Sequence, residues 1–274
     1  LEQLGEAYLP FQDKGAAVAY FREASQVYNE LRDKHREAEF LTRLGEAYTR
    51  SYQWPLALNS YEQALPIYRE IGARLGEANT IKALGDVHMS LAHYEQARAR
   101  YEQALPIYRE IGDRLGEANT IKALGDVHRL LDQYEQARAR YEQALPIYRE
   151  IGARLGEANT IQALGDVHRL LAQYEQALRL YHTALAISRE IKDRYTTAWT
   201  LYRFGLAYAA QEQFALAEQA LKEAVALFEA IGISRGMEAC RELLTQLPIG
   251  VSQIAESRED SPADNGDKPK NEKE

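Results

Sequence analysis

Cysteine, excess positive charge, long apolar runs and catalytic signatures are all scarce or missing in this 274-residue chain. The single cysteine, Cys240, cannot form an internal disulfide, so a reducing compartment, the cytoplasm, is the natural setting. Lys and Arg number 33 against 41 Asp and Glu, giving a net charge of −8 and a pI near 5.4. That balance argues against broad nucleic-acid binding, which needs a concentrated positive surface. No apolar run approaches the roughly 18–20 residues that span a bilayer, so no membrane partner is expected. GxxxxGK[ST], GxSxG, HExxH and CxxC do not occur, so the chain is not read as an enzyme and no cofactor or metal is expected. What remains is a composition of 46% apolar and 27% charged residues, ordinary for a folded soluble protein.

Against these absences stands a repeat of forty residues. Residues 61–100, 101–140 and 141–180 are nearly the same sequence, the second differing from the first at five positions and the third from the second at six. Gly5, Gly45, Gly85, Gly125, Gly165 and Gly205 recur at that period. Each follows Leu or Phe, and alanine comes twelve and nineteen residues later, as in Ala97 and Ala104 after Gly85. A large residue, Phe21, Tyr61, Tyr101, Tyr141, Tyr181 or Leu221, comes sixteen later. Ala78, Ile81, Leu84 and Val87 fall at helical spacing, as do Tyr94, Ala97, Tyr101, Ala104 and Tyr108. Each unit therefore reads as a helix–turn–helix hairpin whose small residues admit a close neighbour and whose rings fill the space beside them. Such a unit is stable only when adjacent units cover it, which implies a stacked array.

The large apolar–Gly–Tyr signature followed by Ala, aromatic and Ala resembles the tetratricopeptide repeat over about residues 1–247. The period is 40 rather than 34, and the usual first-helix Trp is Leu41, Ile81, Ile121, Ile161 or Leu201. The long unit and its G-[AD]-R-L-G-E-A junction are similar to the extended repeats of spindle-orientation adaptors and to the arrays that follow nucleotide-binding modules in bacterial signal-transducing NTPases. The resemblance implies an all-α fold, an α-solenoid wound as a right-handed superhelix of six hairpins. Units are expected at about 1–37 (partial), 38–77, 78–117, 118–157, 158–197 and 198–235, then a capping helix at 236–247 and a disordered charged tail at 248–274. The six extra residues are expected in the second helix. Pro66, Pro106 and Pro146 are expected to bend that helix without breaking it, and Gly72, Gly112 and Gly152 to end it in the left-handed conformation. Because the chain begins at Leu1, inside a repeat, it is read as a piece of a longer protein.

In that family the first helix of each unit lines a concave groove. Carried onto this chain, its groove positions are Glu39 and Glu46, with Thr42 and Thr49, in the second unit. The third supplies Asn79, Lys82, Asp86 and Met89; the fourth Asn119, Lys122, Asp126 and Arg129; the fifth Asn159, Gln162, Asp166 and Arg169. The sixth supplies Trp199 and Tyr202, either as anchors for a partner or packed within the protein. Amides serve an extended backbone as donor and acceptor, while Lys and Asp select charge. The competing reading is a solvated face with internal Lys–Asp pairs. His88, His128 and His168 occupy the packed side and are read as core residues, with successive first helices about 16–20 Å apart. The repeated glutamates, Glu62, Glu70 and Glu77 among them, are read as solvated charge, and Arg98, Arg100, Arg138 and Arg140 as part of a salt-bridged outer face.

The resulting expectation is a scaffold that binds a protein or peptide in its groove, as the sensor or recruitment arm of a larger protein. The alternatives are a weakly self-associating structural array, or the non-catalytic regulatory part of an upstream NTPase or protease.

Overall fold

A computed structural model describes residues 14–248, with side chains from Val18 onward. It is all-α: twelve helices lie among the described residues, in consecutive antiparallel pairs and without a strand. They are α1 (Lys14–Glu30), α2 (Lys34–Arg50), α3 (Trp54–Glu70), α4 (Arg74–Ser90), α5 (Tyr94–Ile111) and α6 (Arg114–Leu130). Then come α7 (Tyr134–Glu150), α8 (Arg154–Leu170), α9 (Tyr174–Glu190), α10 (Arg194–Ala210), α11 (Phe214–Ala230) and α12 (Ser234–Gln246). They fall into two compact units, one ending at Asp193 and the other beginning at Arg194. Residues 1–13 and 249–274, where the first helix of the partial unit and most of the charged tail are expected, lie outside the described residues.

The period is built from equal halves. First and second helices are alike in length, seventeen residues in α4 and eighteen in α5, so the six extra residues are shared between them rather than lodged in the second. Helices begin at Arg74, Arg114 and Arg154, four residues ahead of the expected boundaries at 78, 118 and 158. The R-L-G-E segment at each junction is thus the first turn of a helix.

Each turn is closed by one residue in the left-handed conformation. Gly72, Gly112 and Gly152 do this between hairpins, as expected, and Gly232 does so ahead of α12, with φ of 68–72°. Tyr52, Ala92, Asp132, Ala172 and Glu212 do it within hairpins, where no glycine marks the place. The following amide bonds back to a carbonyl five residues earlier, as in His93 N to His88 O at 2.9 Å, and Ala92 N bonds to Met89 O at 3.0 Å. These are Schellman closures, which satisfy the last carbonyls of each helix. Pro66, Pro106 and Pro146 lie within continuous helices. All three are exposed, so water can serve the carbonyl each proline leaves without its usual donor.

The core of the first unit lies between the helices of each hairpin and between one hairpin and the next. Inside a hairpin a first-helix glycine faces a second-helix tyrosine: a Cβ on Gly85 or Gly125 would lie 2.6 Å from the ring of Tyr101 or Tyr141. Between hairpins the relation reverses. Tyr68, Tyr108 and Tyr148 of the second helices press on Gly76, Gly116 and Gly156 of the next first helices, where a Cβ would lie 2.3–2.5 Å away. A glycine–aromatic contact therefore recurs about every twenty residues from α2 to α9. These rings are almost completely buried, and each is worth roughly 1.5–3 kcal/mol. In the second unit Leu221 meets Gly205, and Phe228 meets Gly236 of α12. α12 lays Gly236 and Cys240 against α11, as a cap does, and burial pushes the Cys240 thiol up to about 11.

Candidate interaction groove

The tyrosines that fill the core also set the polar groups of the first helices. Tyr101, Tyr141 and Tyr181 donate to Asp86, Asp126 and Asp166 of the preceding helix at 2.7–2.9 Å. Tyr108 and Tyr148 donate to Oδ1 of Asn79 and Asn119, both at 2.7 Å, reaching back from the far side of the hairpin. The Asn and Asp rows are thus held by hydroxyls rising from the core, and burial raises the pKa of Tyr101, Tyr108, Tyr141 and Tyr148. Lys82 and Lys122 bond the second oxygen of Asp86 and Asp126 at 2.8 Å, the internal pairs anticipated from their spacing.

A cleft of about 740 Å³ opens over this surface, lined by three successive first helices. From α4 come Lys82, Asp86 and Met89, from α6 Asn119, Lys122 and Asp126, and from α8 Asn159. Seven of the sixteen anticipated residues are therefore together. Asn79 is exposed at the same register one helix earlier. Glu39 is held by Arg43 at 2.9 Å and Glu46 is exposed, both on α2 and away from the cleft. Arg129 is half-buried at the end of α6 and hydrogen-bonds the Tyr141 hydroxyl. Arg169 is half-buried, with its Nε shut off from solvent and unbonded. Gln162 and Asp166 are only 7% exposed, so they do not present a binding face.

Leu115, Leu155, Tyr101, Tyr148 and Arg154 also line the cleft and were not anticipated. Leu75, Leu115 and Leu155 are 51%, 49% and 45% exposed, an apolar row at the second position of successive first helices. The sequence signal was available: the same leucine recurs in each R-L-G-E junction with no core position to fill.

Two expectations about charge and histidine change. Glu77, Glu117 and Glu157 are buried rather than solvated. Glu117 accepts from Arg109 at 2.9 Å and Arg114 at 2.5 Å, and Arg114 also reaches Glu150 on the next second helix at 2.7 Å. The same clasp surrounds Glu77 and Glu157, so a charge ladder runs from α3 to α9. Arg98 and Arg138 pair with Glu95 and Glu135 on the outer face, as read from the sequence. Successive first helices touch directly instead of lying 16–20 Å apart, because the second helices form a layer behind them. His128 and His168 bond Gln133 and Gln173 at 2.7 and 2.6 Å. His88 meets His93 in that place, and its buried Nδ1 has no partner. Among the described residues no group of three or more side chains is arranged to hold a metal ion, and no helix is long and apolar enough to cross a membrane.

In the second unit Tyr195, Trp199 and Tyr202 form an edge-to-face cluster. Trp199 lies 5.7 Å from Tyr202 and 4.9 Å from Phe228, ring centre to ring centre. Trp199 and Tyr202 are half-buried, so packing and partial exposure coexist there.

The tetratricopeptide repeat profile matches residues 73–150 and 157–230, more than half of the chain. The chain belongs to the tetratricopeptide repeat family. No curated protein matches it by sequence. Among solved structures, the apo quorum sensor NprR from B. thuringiensis superposes with a TM-score of 0.72 at 16% identity, over 92% of this chain and 71% of that one. A Rap protein complexed with competence and sporulation factor gives 0.64 at 18% identity, covering 93% and 74%. A signal transduction ATPase with numerous domains and a tetratricopeptide repeat sensor, from Pyrococcus horikoshii, gives 0.70 at 16% identity, covering 93% of this chain and 42% of that one. At these identities the likeness shows a shared solenoid fold.

Proposed function

We propose that this tetratricopeptide array is a protein-interaction scaffold that holds an extended segment of a partner protein in the cleft across α4, α6 and α8. The observation that carries this reading is the cleft itself: side chains from three consecutive first helices, several of them equivalent between neighbouring helices, line one open surface. Its floor offers amide, ammonium and carboxylate groups, and its rim offers half-exposed leucines, so it suits a chain with both backbone polar groups and apolar side chains. Two similar folds are described with a peptide or factor bound, a Rap protein with competence and sporulation factor and a Rap regulator with the Phr* peptide, which supports a peptide-sized ligand. The sensor named in the ATPase relative supports a recruitment arm attached to a larger protein. No residue of the cleft is assigned a catalytic role.

The test is capture from a peptide library, repeated with Lys122→Glu and with Asp126→Lys after circular dichroism has verified that both fold. Altered or lost capture is expected in each. Identical capture by both variants places the interaction elsewhere.

A further inference from the structure

The cleft contains the same four side chains twice: Lys82 and Lys122, Asp86 and Asp126, Leu115 and Leu155, Asn119 and Asn159, each pair forty residues apart. The near-identity of the central units therefore makes a row of equivalent subsites. The step between them is the distance from one first helix to the next. Where those helices touch they approach within 8 Å between Cα atoms, and helix axes at such a contact lie about 8–10 Å apart.

A partner that uses every subsite in the same way must repeat with that step. A β-strand returns to the same face every two residues, about 6.8 Å, and falls out of register at the second subsite. An α-helix has already consumed its carbonyls internally and has nothing for an outward amide donor to bind. A polyproline II chain turns once in three residues of about 3.1 Å each, a repeat of about 9.3 Å, and leaves every carbonyl free. The groove meets both properties. In the cleft Tyr148 occupies Oδ1 of Asn119, which leaves its amino group as a donor, and Tyr108 sets Asn79 the same way one first helix earlier. Leu75, Leu115 and Leu155 give one half-exposed apolar seat per hairpin. The Lys82–Asp86 and Lys122–Asp126 pairs are internally neutralised, so the row selects spacing more than net charge.

From this match of step, donors and seats, we propose that the partner segment is an extended, polyproline II-like peptide with a three-residue repeat, one large apolar side chain in every three. This rests on the cleft being the interaction site. The experiment uses the full chain and three synthetic peptides of equal length, charge and proline content, with leucine at every second, every third or every fourth position, read by fluorescence anisotropy. The every-third peptide is expected to bind at least tenfold more tightly than the others. Its affinity is expected to rise as triplets are added and to fall at least tenfold in Leu115→Ser/Leu155→Ser. Equal binding of all three peptides, still lost in Lys122→Glu, overturns the periodicity and leaves the groove standing. Binding of all three that survives Lys122→Glu, Asp126→Lys and the leucine variant overturns both.

Discussion

Replacing Gly116 with alanine puts a methyl carbon 2.3 Å from Cδ1 of Tyr108 and 2.7 Å from a carboxylate oxygen of Asp113. Neither neighbour can yield at little cost. The Tyr108 ring is 1% exposed and its hydroxyl is committed to Asn79 at 2.7 Å. The Asp113 carboxylate caps α6 by accepting from Gly116 N at 2.9 Å. Overpacking of this kind costs about 1–3 kcal/mol, and loss of the cap adds about 1 kcal/mol. Alanine returns about 0.8–1.0 kcal/mol of helix propensity. The net expectation is a loss of about 2 kcal/mol, which for a chain of this size lowers Tm by about 4–8 °C. Helical ellipticity followed through thermal unfolding measures it. Trimming the ring with Tyr108→Leu in the Gly116→Ala background is expected to recover part of the loss, because contacting sites are not additive. If Gly116→Ala is as stable as the parent or more so, the claim that neighbouring hairpins close on a glycine–aromatic contact is wrong.

Three further outcomes follow from the same contacts. Glu117→Gln removes the charge shared by Arg109 and Arg114, leaving Arg114 only Glu150 as an anionic partner, and should cost about 1.5–3 kcal/mol in urea unfolding, while the exposed Glu62→Gln should cost almost nothing. Ala172→Gly relieves a left-handed alanine at φ 57° and should stabilise the protein by about 0.5–1 kcal/mol, with the strain relief partly offset by a freer unfolded chain. Alkali should unfold the protein cooperatively. Burial raises Tyr61 to about 12 from an ordinary value near 10, and raises Tyr101, Tyr108, Tyr141 and Tyr148 as well. Above pH 10 the unfolded chain releases protons that the folded one retains, so stability falls as pH rises from 10 toward 12 and beyond. Tyrosinate absorbance should then rise together with loss of helix; tyrosines that titrate fully while helicity stays constant would refute the assignment.

The array was legible because its packing depends on residue size at fixed spacing. Gly85 and Tyr101 could be paired sixteen residues apart from sequence alone, and Gly112 could be placed at a left-handed turn. Their reciprocals were harder to read. Gly116 belongs to the same scheme, but it sits in a charged junction that reads as a loop. Tyr52, Ala92, Asp132 and Ala172 share a backbone conformation and no side-chain chemistry, so the alternate turns left no signature. Glu77 was misjudged because a charge at a junction ordinarily faces water. Its burial depends on two arginines, one from the preceding helix, meeting it in space. At the groove, Lys82, Asp86, Met89, Asn119, Lys122 and Asp126 of α4 and α6 line the cleft, while Asn79 and Arg129 of the same helices lie outside it. Gln162 and Asp166 did not follow, because position in the unit does not reveal how deeply a particular copy is covered.

The central claim is that each forty-residue unit is stabilised by its immediate neighbours and needs no distant part of the chain. Deleting residues 101–140 tests it most directly, since Arg100 would then join Tyr141 in the same sequence context that Arg100 and Tyr101 have now. The shortened chain is expected to be folded and to melt cooperatively, with unchanged ellipticity per residue and a smaller radius of gyration by small-angle scattering. A molten or aggregated product, with helix content per residue reduced, would contradict it.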